Sequence, residues 1–148
     1  MLGFIIAIVS GAMMSIQGVF NTEVTKSSSI WVTAGFVQLT ALLACIVMWV
    51  FDGRPNVLEL FSVERKYTLL GGVIGAFITF TVVKGMSLLG TAKASMTIVV
   101  AQLITSYMIE LFGAFGSEKS EFSIMKLVGL ALAIVGVVIF SMTDAGNS

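Results

Sequence analysis

Three polar side chains recur at four-residue steps within one long apolar stretch, residues 91–116. Gln102, Ser106 and Glu110 supply an amide, a hydroxyl and a carboxyl, which can donate and accept hydrogen bonds or carry negative charge. If the stretch is helical, successive members are offset by about 40° around the axis and share one broad face. A polar group in hydrocarbon needs a partner, a water-lined cavity or an interfacial position. Gln102 and Glu110 are therefore candidates for binding a solute or an ion.

A second polar set lies in the first and third apolar stretches. Gln17 and Asn21 are four residues apart, which places them on one helix face at the end of the first stretch. Lys84 stands near the carboxyl end of the third stretch. Together with Gln102 and Glu110, these side chains predict one substrate-binding or ion-binding cavity that offers amides, one carboxyl and an ammonium group.

Structural alternatives exist for the same residues. Lys84 lies about four residues from the end of its stretch, so its side chain can extend to the lipid headgroups. Gln102 can hydrogen bond to a neighbouring helix without contacting a solute. Glu110 is about six residues short of Gly116, within reach of the membrane interface. At that position a gate or the edge of a site suits it better than a proton carrier at the membrane midplane.

The composition excludes several kinds of chemistry. The chain has no histidine and one cysteine, Cys45, so the usual ligand sets of transition metals are missing and we expect no metal or cofactor. We also find no convincing nucleophile–base pair, which argues against an enzyme. Eight basic residues balance eight acidic ones, so no overall field attracts nucleic acid.

The elements that carry these residues are predicted to be membrane-spanning helices. Hydrophobic residues make up 57% of the chain and charged residues 11%, against about 45–50% and about 25% in soluble domains. Apolar runs of about 20 residues suffice to cross a hydrocarbon core of about 30 Å. We predict an all-α integral membrane protein, a single five-helix domain over residues 1–148, with helices at about 2–20, 30–51, 67–88, 92–115 and 124–142.

Small residues at helical spacing predict close helix packing. In lipid no hydrophobic force drives helices together, and glycine lets their backbones approach. Most such faces are expected to pack within one chain, while the fifth segment is the best candidate for contact with another subunit. The glycines concerned are Gly11, Gly18, Gly71, Gly75, Gly129 and Gly136.

Lysine and arginine placement favours a cytoplasmic amino terminus. Five basic residues flank the spans on the side of the amino terminus and three on the other side, and cytoplasmic loops carry the excess of positive charge. The difference is small, so the chain can also be expected to insert in both directions. The first group is Arg54, Arg65, Lys66, Lys119 and Lys126, and the second is Lys26, Lys84 and Lys93.

Four stretches of the chain match the pattern of a known family: Gln17-x-x-x-Asn21, Gly71-Gly72-Val73-Ile74-Gly75-Ala76-Phe77, Ala101-Gln102 and Ile109-Glu110-Leu111-Phe112-Gly113. Through them the chain resembles, over nearly its whole length, the YdcZ-like family of the drug/metabolite transporter superfamily. It departs from the family pattern at Glu110, where the pattern often has aspartate, and at Ala101, where it has glycine.

The resemblance implies an exporter of small metabolites or drugs in the bacterial inner membrane. It also implies a relation to ten-helix transporters that resemble two five-helix repeats. An odd repeat joined in tandem places its second copy upside down, so this chain would be half of an inverted-repeat unit. The implied partners are a small-molecule solute, membrane lipid and a second subunit, either an antiparallel or parallel copy of the chain or a paired homologue.

Other functions are open at this stage. A structural or regulatory membrane subunit without transport activity would account for the polar residues through interhelical hydrogen bonds. A channel is a further alternative. The substrate, the direction of transport and the coupling ion do not follow from the sequence.

Overall fold

The chain is almost entirely helical. The structure, a computed structural model, describes residues 1–145 of the chain, and side chains as far as residue 142. No strand occurs in this described part, so the all-α prediction is confirmed. The single domain predicted over 1–148 stays a prediction, and its residues 146–148 lie outside the described range. The helices are α1 (Leu2–Lys26), α2 (Ile30–Phe51), α3 (Gly71–Leu89), α4 (Thr91–Phe112) and α5 (Ile124–Ala145).

Each of the five helices is long and apolar enough to cross a membrane. The candidate spans are at least 19 residues long, and the third includes the short 3-10 helix Lys66–Leu70 that precedes α3. Two compact units divide the chain, Met1–Ser87 with α1 to α3, and Leu88–Ser148 with α4 and α5. Five predicted spans are thus confirmed as five membrane-length helices.

The first helix continues beyond its predicted end at residue 20. The sequence Asn21–Ser29 was expected to be a polar connection, but α1 ends only at Lys26. The Thr22 and Thr25 hydroxyls donate to the carbonyl groups four residues earlier, both at 2.8 Å, so these polar side chains are satisfied within the helix. Polar residues therefore extend the helix past the apolar run instead of ending it.

Contacts between α1 and α2 lie close to their short connection. Ser29 caps α2, and its hydroxyl accepts a hydrogen bond from the Val32 amide at 3.2 Å. Thr33 is buried, and a hydrogen bond joins its hydroxyl to that of Thr25, with the oxygen atoms 3.0 Å apart. The cap and the hydroxyl pair fix how α1 and α2 meet.

The third helix packs on α2 through aromatic rings and one amide. Trp31 stacks on Phe80 with ring centroids 4.6 Å apart and meets the edge of Phe77 at 5.8 Å. Further along, the Gln38 amide donates to the Gly72 carbonyl at 3.3 Å. Gln38 thus shows that an amide within an apolar helix can hydrogen bond to a neighbouring helix without contacting a solute.

The connection from α2 to α3 is partly helical. It contains the 3-10 helices Val57–Ser62 and Lys66–Leu70, so α3 proper begins at Gly71 and not at residue 67. Asn56 caps the first of them by accepting from the Leu58 amide at 3.0 Å. The Trp49 indole donates to the Pro55 carbonyl at 2.9 Å, which ties the connection to the end of α2.

The fourth helix ends earlier than the predicted residue 115. Gly113 adopts the left-handed conformation, with φ 62° and ψ 32°, and its amide turns back to the carbonyls of Ile109 and Glu110. Glycine takes this conformation at little cost, which makes it the common terminator of helices. Because α4 ends at Phe112, Glu110 lies in its last turn.

Two of the glycines singled out for packing have close neighbours. A Cβ built on Gly18 would lie 2.5 Å from the Met86 methyl group, so α1 and α3 meet closely there. A Cβ on Gly75 would lie 3.1 Å from the Gln38 amide nitrogen. For the other four, no atom of the described chain outside the helix's own turns lies within 4 Å of the added Cβ: Gly11, Gly71, Gly129 and Gly136.

Candidate functional site

A groove lies between α1 and α2. We call it the amide groove because two amide side chains, Gln17 and Asn21, stand among apolar residues along it. It is open to the outside and has a volume of about 460 Å³, enough for a small metabolite. Its lining residues are Met13, Ile16, Gln17, Phe20, Asn21, Val37, Thr40 and Ala41.

Asn21 is the notable polar group of the amide groove. Only 8% of the residue is exposed, and its side-chain amide makes no hydrogen bond to the residues that the structure describes. Because no fully buried side-chain nitrogen or oxygen in this described part lacks a partner, the amide keeps access to the groove that it lines. Its backbone carbonyl is occupied by the Thr25 hydroxyl at 2.8 Å. A ligand or water in the groove can therefore reach an amide that both donates and accepts hydrogen bonds.

Gln17 lies one helical turn before Asn21 and is exposed. The continuation of α1 past residue 20 keeps both side chains on one helix, so their four-residue spacing places them on the same face. On α2 the Thr40 hydroxyl donates to the carbonyls of Phe36 and Val37, which leaves its oxygen able to accept. The groove therefore offers hydrogen bonds but no formal charge.

A second groove lies between α4 and α5. We call it the carboxylate groove, after Glu110. It has a volume of about 370 Å³ and apolar walls interrupted by one acidic, one basic, one hydroxyl and one phenol side chain. Its lining residues are Leu103, Ser106, Tyr107, Glu110, Lys126, Gly129 and Leu130.

Lys126 occupies the polar end of the carboxylate groove. Its Nζ lies 3.2 Å from Glu110 Oε2 and donates to Ser120 Oγ at 2.8 Å. The same ammonium group stands 5.4 Å from the centroid of the Tyr107 ring, within the range of a cation–π interaction. Both partners of the ion pair are about half exposed, so solvent screens much of the attraction.

The loop between α4 and α5 is tied to α4 around this ion pair. The Tyr107 hydroxyl accepts from the Ser123 amide at 3.0 Å and lies 3.5 Å from the Ser123 carbonyl oxygen. The Ser120 amide donates to the Glu110 carbonyl at 2.9 Å. These bonds hold the loop hydroxyls and the start of α5 beside the last turn of α4, which positions Lys126 against Glu110.

The predicted site residues fall into separate groups. Gln17 and Asn21 share the amide groove, whereas Glu110 lies in the carboxylate groove, four residues from Ser106. Gln102 is exposed and lines neither groove, and its side chain makes no hydrogen bond with described residues of α4 and α5. Lys84 is exposed on α3, without an ion pair in the described range.

Sequence reasoning did not single out Tyr107 or Lys126 as part of the site. Lys126 entered only as a basic residue near a membrane boundary, although it follows Glu110 by 16 residues across a loop rich in turn-forming residues. The sequence signal for the pairing of Lys126 with Glu110 is the helical hairpin. Two helices joined by a short loop bring the end of the first close to the start of the second. Within the described residues, no group of three His, Cys, Asp or Glu side chains is placed so that it could hold a metal ion.

Five membrane-length apolar helices define a multi-pass membrane protein, and comparison with known proteins gives its family. The chain belongs to the YdcZ-like family of the drug/metabolite transporter superfamily, whose profile, described as "Putative inner membrane exporter, YdcZ", matches residues 2–139. The chain is 29% identical over 140 residues to "Inner membrane protein YdcZ" of Escherichia coli (strain K12), which covers 91% of this chain and 90% of the relative. No solved structure matches it.

Proposed function

We propose that this protein is one subunit of a dimeric secondary transporter that exports a small metabolite or drug-like solute by alternating access. The observation that carries the proposal is Asn21, a largely buried residue whose side-chain amide makes no hydrogen bond to the described chain and lines an open groove beside Gln17. An amide at the wall of an open groove is available to hydrogen bond to a solute. Membership in a family of inner-membrane exporters supports the same function.

The two grooves have different roles in this proposal: the amide groove binds the solute, and the carboxylate groove controls access. Gln17 and Asn21 orient the solute through hydrogen bonds, and Phe20 with its neighbours covers the apolar part of the solute. Glu110 and Lys126 form a gate or the edge of a site at the end of α4, where the ion pair can open and close as access alternates. Gln102 and Lys84 are secondary candidates for contacts that form when a second subunit is present.

The odd number of helices supports the proposal of a second subunit. Inverted repeats are common in secondary transporters, with the substrate site near their interface, and a five-helix chain supplies one repeat. The partner is a second copy, parallel or antiparallel, or a paired homologue. Gly136 on α5, which has no close neighbour in the described chain, leaves room for the approach of a partner helix.

The test is solute flux in proteoliposomes. A screen of metabolites and drug-like molecules first identifies solutes that raise the melting temperature of the purified protein. These solutes are loaded into the proteoliposomes, and their export is measured for the wild type and Asn21→Leu. We expect at least a tenfold loss of flux, because leucine has a similar size and forms no hydrogen bond. Met14→Leu, an exposed change on the same helix, should transport normally.

Two results would contradict the proposal. Wild-type flux in the Asn21→Leu protein would remove the amide groove from the transport path. A wild-type protein that moves no solute in the screen and co-purifies in fixed ratio with another membrane protein would instead support a structural or regulatory subunit.

A further inference from the structure

The surroundings of the Lys126 ammonium group have the composition of a recognition site for a cation. A carboxylate oxygen lies at 3.2 Å, a hydroxyl oxygen at 2.8 Å and an aromatic ring at 5.4 Å. Carboxylates and hydroxyls accept hydrogen bonds from ammonium groups, and the face of a tyrosine ring attracts cations. Here a side chain of the protein itself fills that position.

Stability alone does not account for this arrangement. Side chains of Lys126 and Glu110 are 46% and 49% exposed, and ion pairs exposed to this degree contribute little to the folding free energy. The partners are nevertheless held in place by the bonds that join Tyr107 to Ser123 and Ser120 to the Glu110 backbone. Glu110, Ser120 and Tyr107 are thus fixed in place around an ammonium group that is itself only weakly attracted to Glu110.

The rest of the groove continues away from the ammonium position as an apolar surface. Leu103 and Leu130 face it from the two helices, and Gly129 leaves space between them. A ligand suited to this shape has a cationic amine at one end and an apolar body of modest size at the other. The volume of about 370 Å³ fits such a molecule.

We propose that the carboxylate groove is a binding site for ammonium-bearing amphipathic solutes, and that Lys126 is a tethered cation which such a solute displaces from Glu110. The inference rests on the proposed transport function for its biological use, but the binding itself does not require transport. The long lysine stem lets the displaced ammonium group turn outward to water or lipid headgroups near the start of α5. Return of Lys126 to Glu110 then favours release of the solute.

The experiment measures binding of benzylammonium to the full chain in phosphatidylcholine nanodiscs by isothermal titration calorimetry, with the heat of empty nanodiscs subtracted. We expect Lys126→Met to bind benzylammonium about 5-fold more tightly than the wild type, because the competing cation is gone and the exposed ion pair held it only weakly. Lys126→Arg, which keeps a competing cation beside Glu110, should bind benzylammonium no more tightly than the wild type.

Three further variants identify the site. Glu110→Gln should lose most of the binding, and the Glu110→Gln/Lys126→Met double variant should show no gain over it. Tyr107→Leu removes the ring face and should weaken binding severalfold, which provides a second measure should Glu110→Gln fold poorly. The neutral isostere benzyl alcohol should bind to all of these proteins with the same affinity.

Equal affinity of the wild type and Lys126→Met for benzylammonium would overturn the inference, as would equal gains for benzyl alcohol. The proposed transport function fails separately. Binding as expected without flux of any solute leaves the ammonium site standing, whereas flux that depends on Asn21, without binding of benzylammonium, overturns the ammonium site alone.

Discussion

At the scale of single residues, threonine hydroxyls carry much of the polar contact among the first helices. Thr22 and Thr25 each donate to a carbonyl one turn earlier, and Thr25 also meets Thr33 on the neighbouring helix. In a membrane such bonds matter because no water competes for them, although measured values are modest, at about 0.6–2 kcal/mol. The pair Thr25 and Thr33 is therefore a defined link between α1 and α2.

Replacement of Thr33 by valine tests this link. Valine has nearly the same shape, so the substitution removes the hydroxyl and leaves the packing in place. Only 1% of Thr33 is exposed, and we expect the free energy of unfolding to fall by about 1 kcal/mol, measured by reversible denaturation in mixed micelles.

Thr25→Val and the double variant complete a thermodynamic cycle for that pair. A coupling energy near zero would show that the two hydroxyls are independent. Thr40→Val serves as the control, because the Thr40 hydroxyl bonds only to the backbone of its own helix in the described chain.

Site residues differ in how far the sequence could identify them. Gln17 and Asn21 could be paired from their four-residue spacing, since one helix carries both. The partner of Glu110 could not be read from periodicity, because it lies across a loop whose conformation depends on Tyr107 bonding to Ser123. Whether Gln102 finds a partner depends on helices outside its own hairpin, which periodicity does not specify.

At the scale of elements, the helix ends show where composition was a poor guide. The apolar run predicted the first helix to end near residue 20, but hydroxyl side chains bonded to the backbone carry it to Lys26. The fourth helix was predicted to end near residue 115, but the left-handed glycine ends it at Phe112. Hydropathy locates a span, whereas hydrogen bonds and φ angles set its ends.

Gly113→Ala tests the second of these ends. At φ 62° a Cβ is strained, and it would also lie 3.4 Å from the Lys119 Cβ, so we expect a loss of about 1–2 kcal/mol in the free energy of unfolding. Gly35→Ala is the control, because Gly35 is inside α2 and has no neighbour within 4 Å in the described chain.

The control variant should be neutral or slightly stabilising, since alanine favours a helix more than glycine does. Equal stability of Gly113→Ala and the wild type in the same denaturation measurement would mean that the left-handed turn does not terminate α4.

At the scale of the whole molecule, the number of spans and the distribution of charge determine how the chain enters the membrane. If all five membrane-length helices cross the bilayer, α1 begins and α5 ends on opposite sides. The basic residues in the connections and towards the helix ends divide five to three between the sides. A difference this small imposes a weak preference for a cytoplasmic amino terminus.

Reporter proteins fused to each terminus measure that preference in cells. We expect a majority of chains with the amino terminus in the cytoplasm and a detectable minority in the opposite orientation. Two lysines added to the loop between α4 and α5 should remove the minority, because they raise the charge difference. A single orientation in the unmodified chain would argue against an antiparallel homodimer and for a parallel dimer or an oppositely oriented homologue.

The length of α1 has a consequence for the lipid around the protein. Its 25 residues make a rod of about 37 Å at 1.5 Å per residue, longer than the hydrocarbon thickness of about 30 Å. The excess is accommodated by tilt or by protrusion of the last turns, which begin with Asn21 and hold the Glu23–Lys26 ion pair. Longer acyl chains in the host bilayer would draw Asn21 into the hydrocarbon region. The thickness of the bilayer would thereby control the hydration of the amide groove.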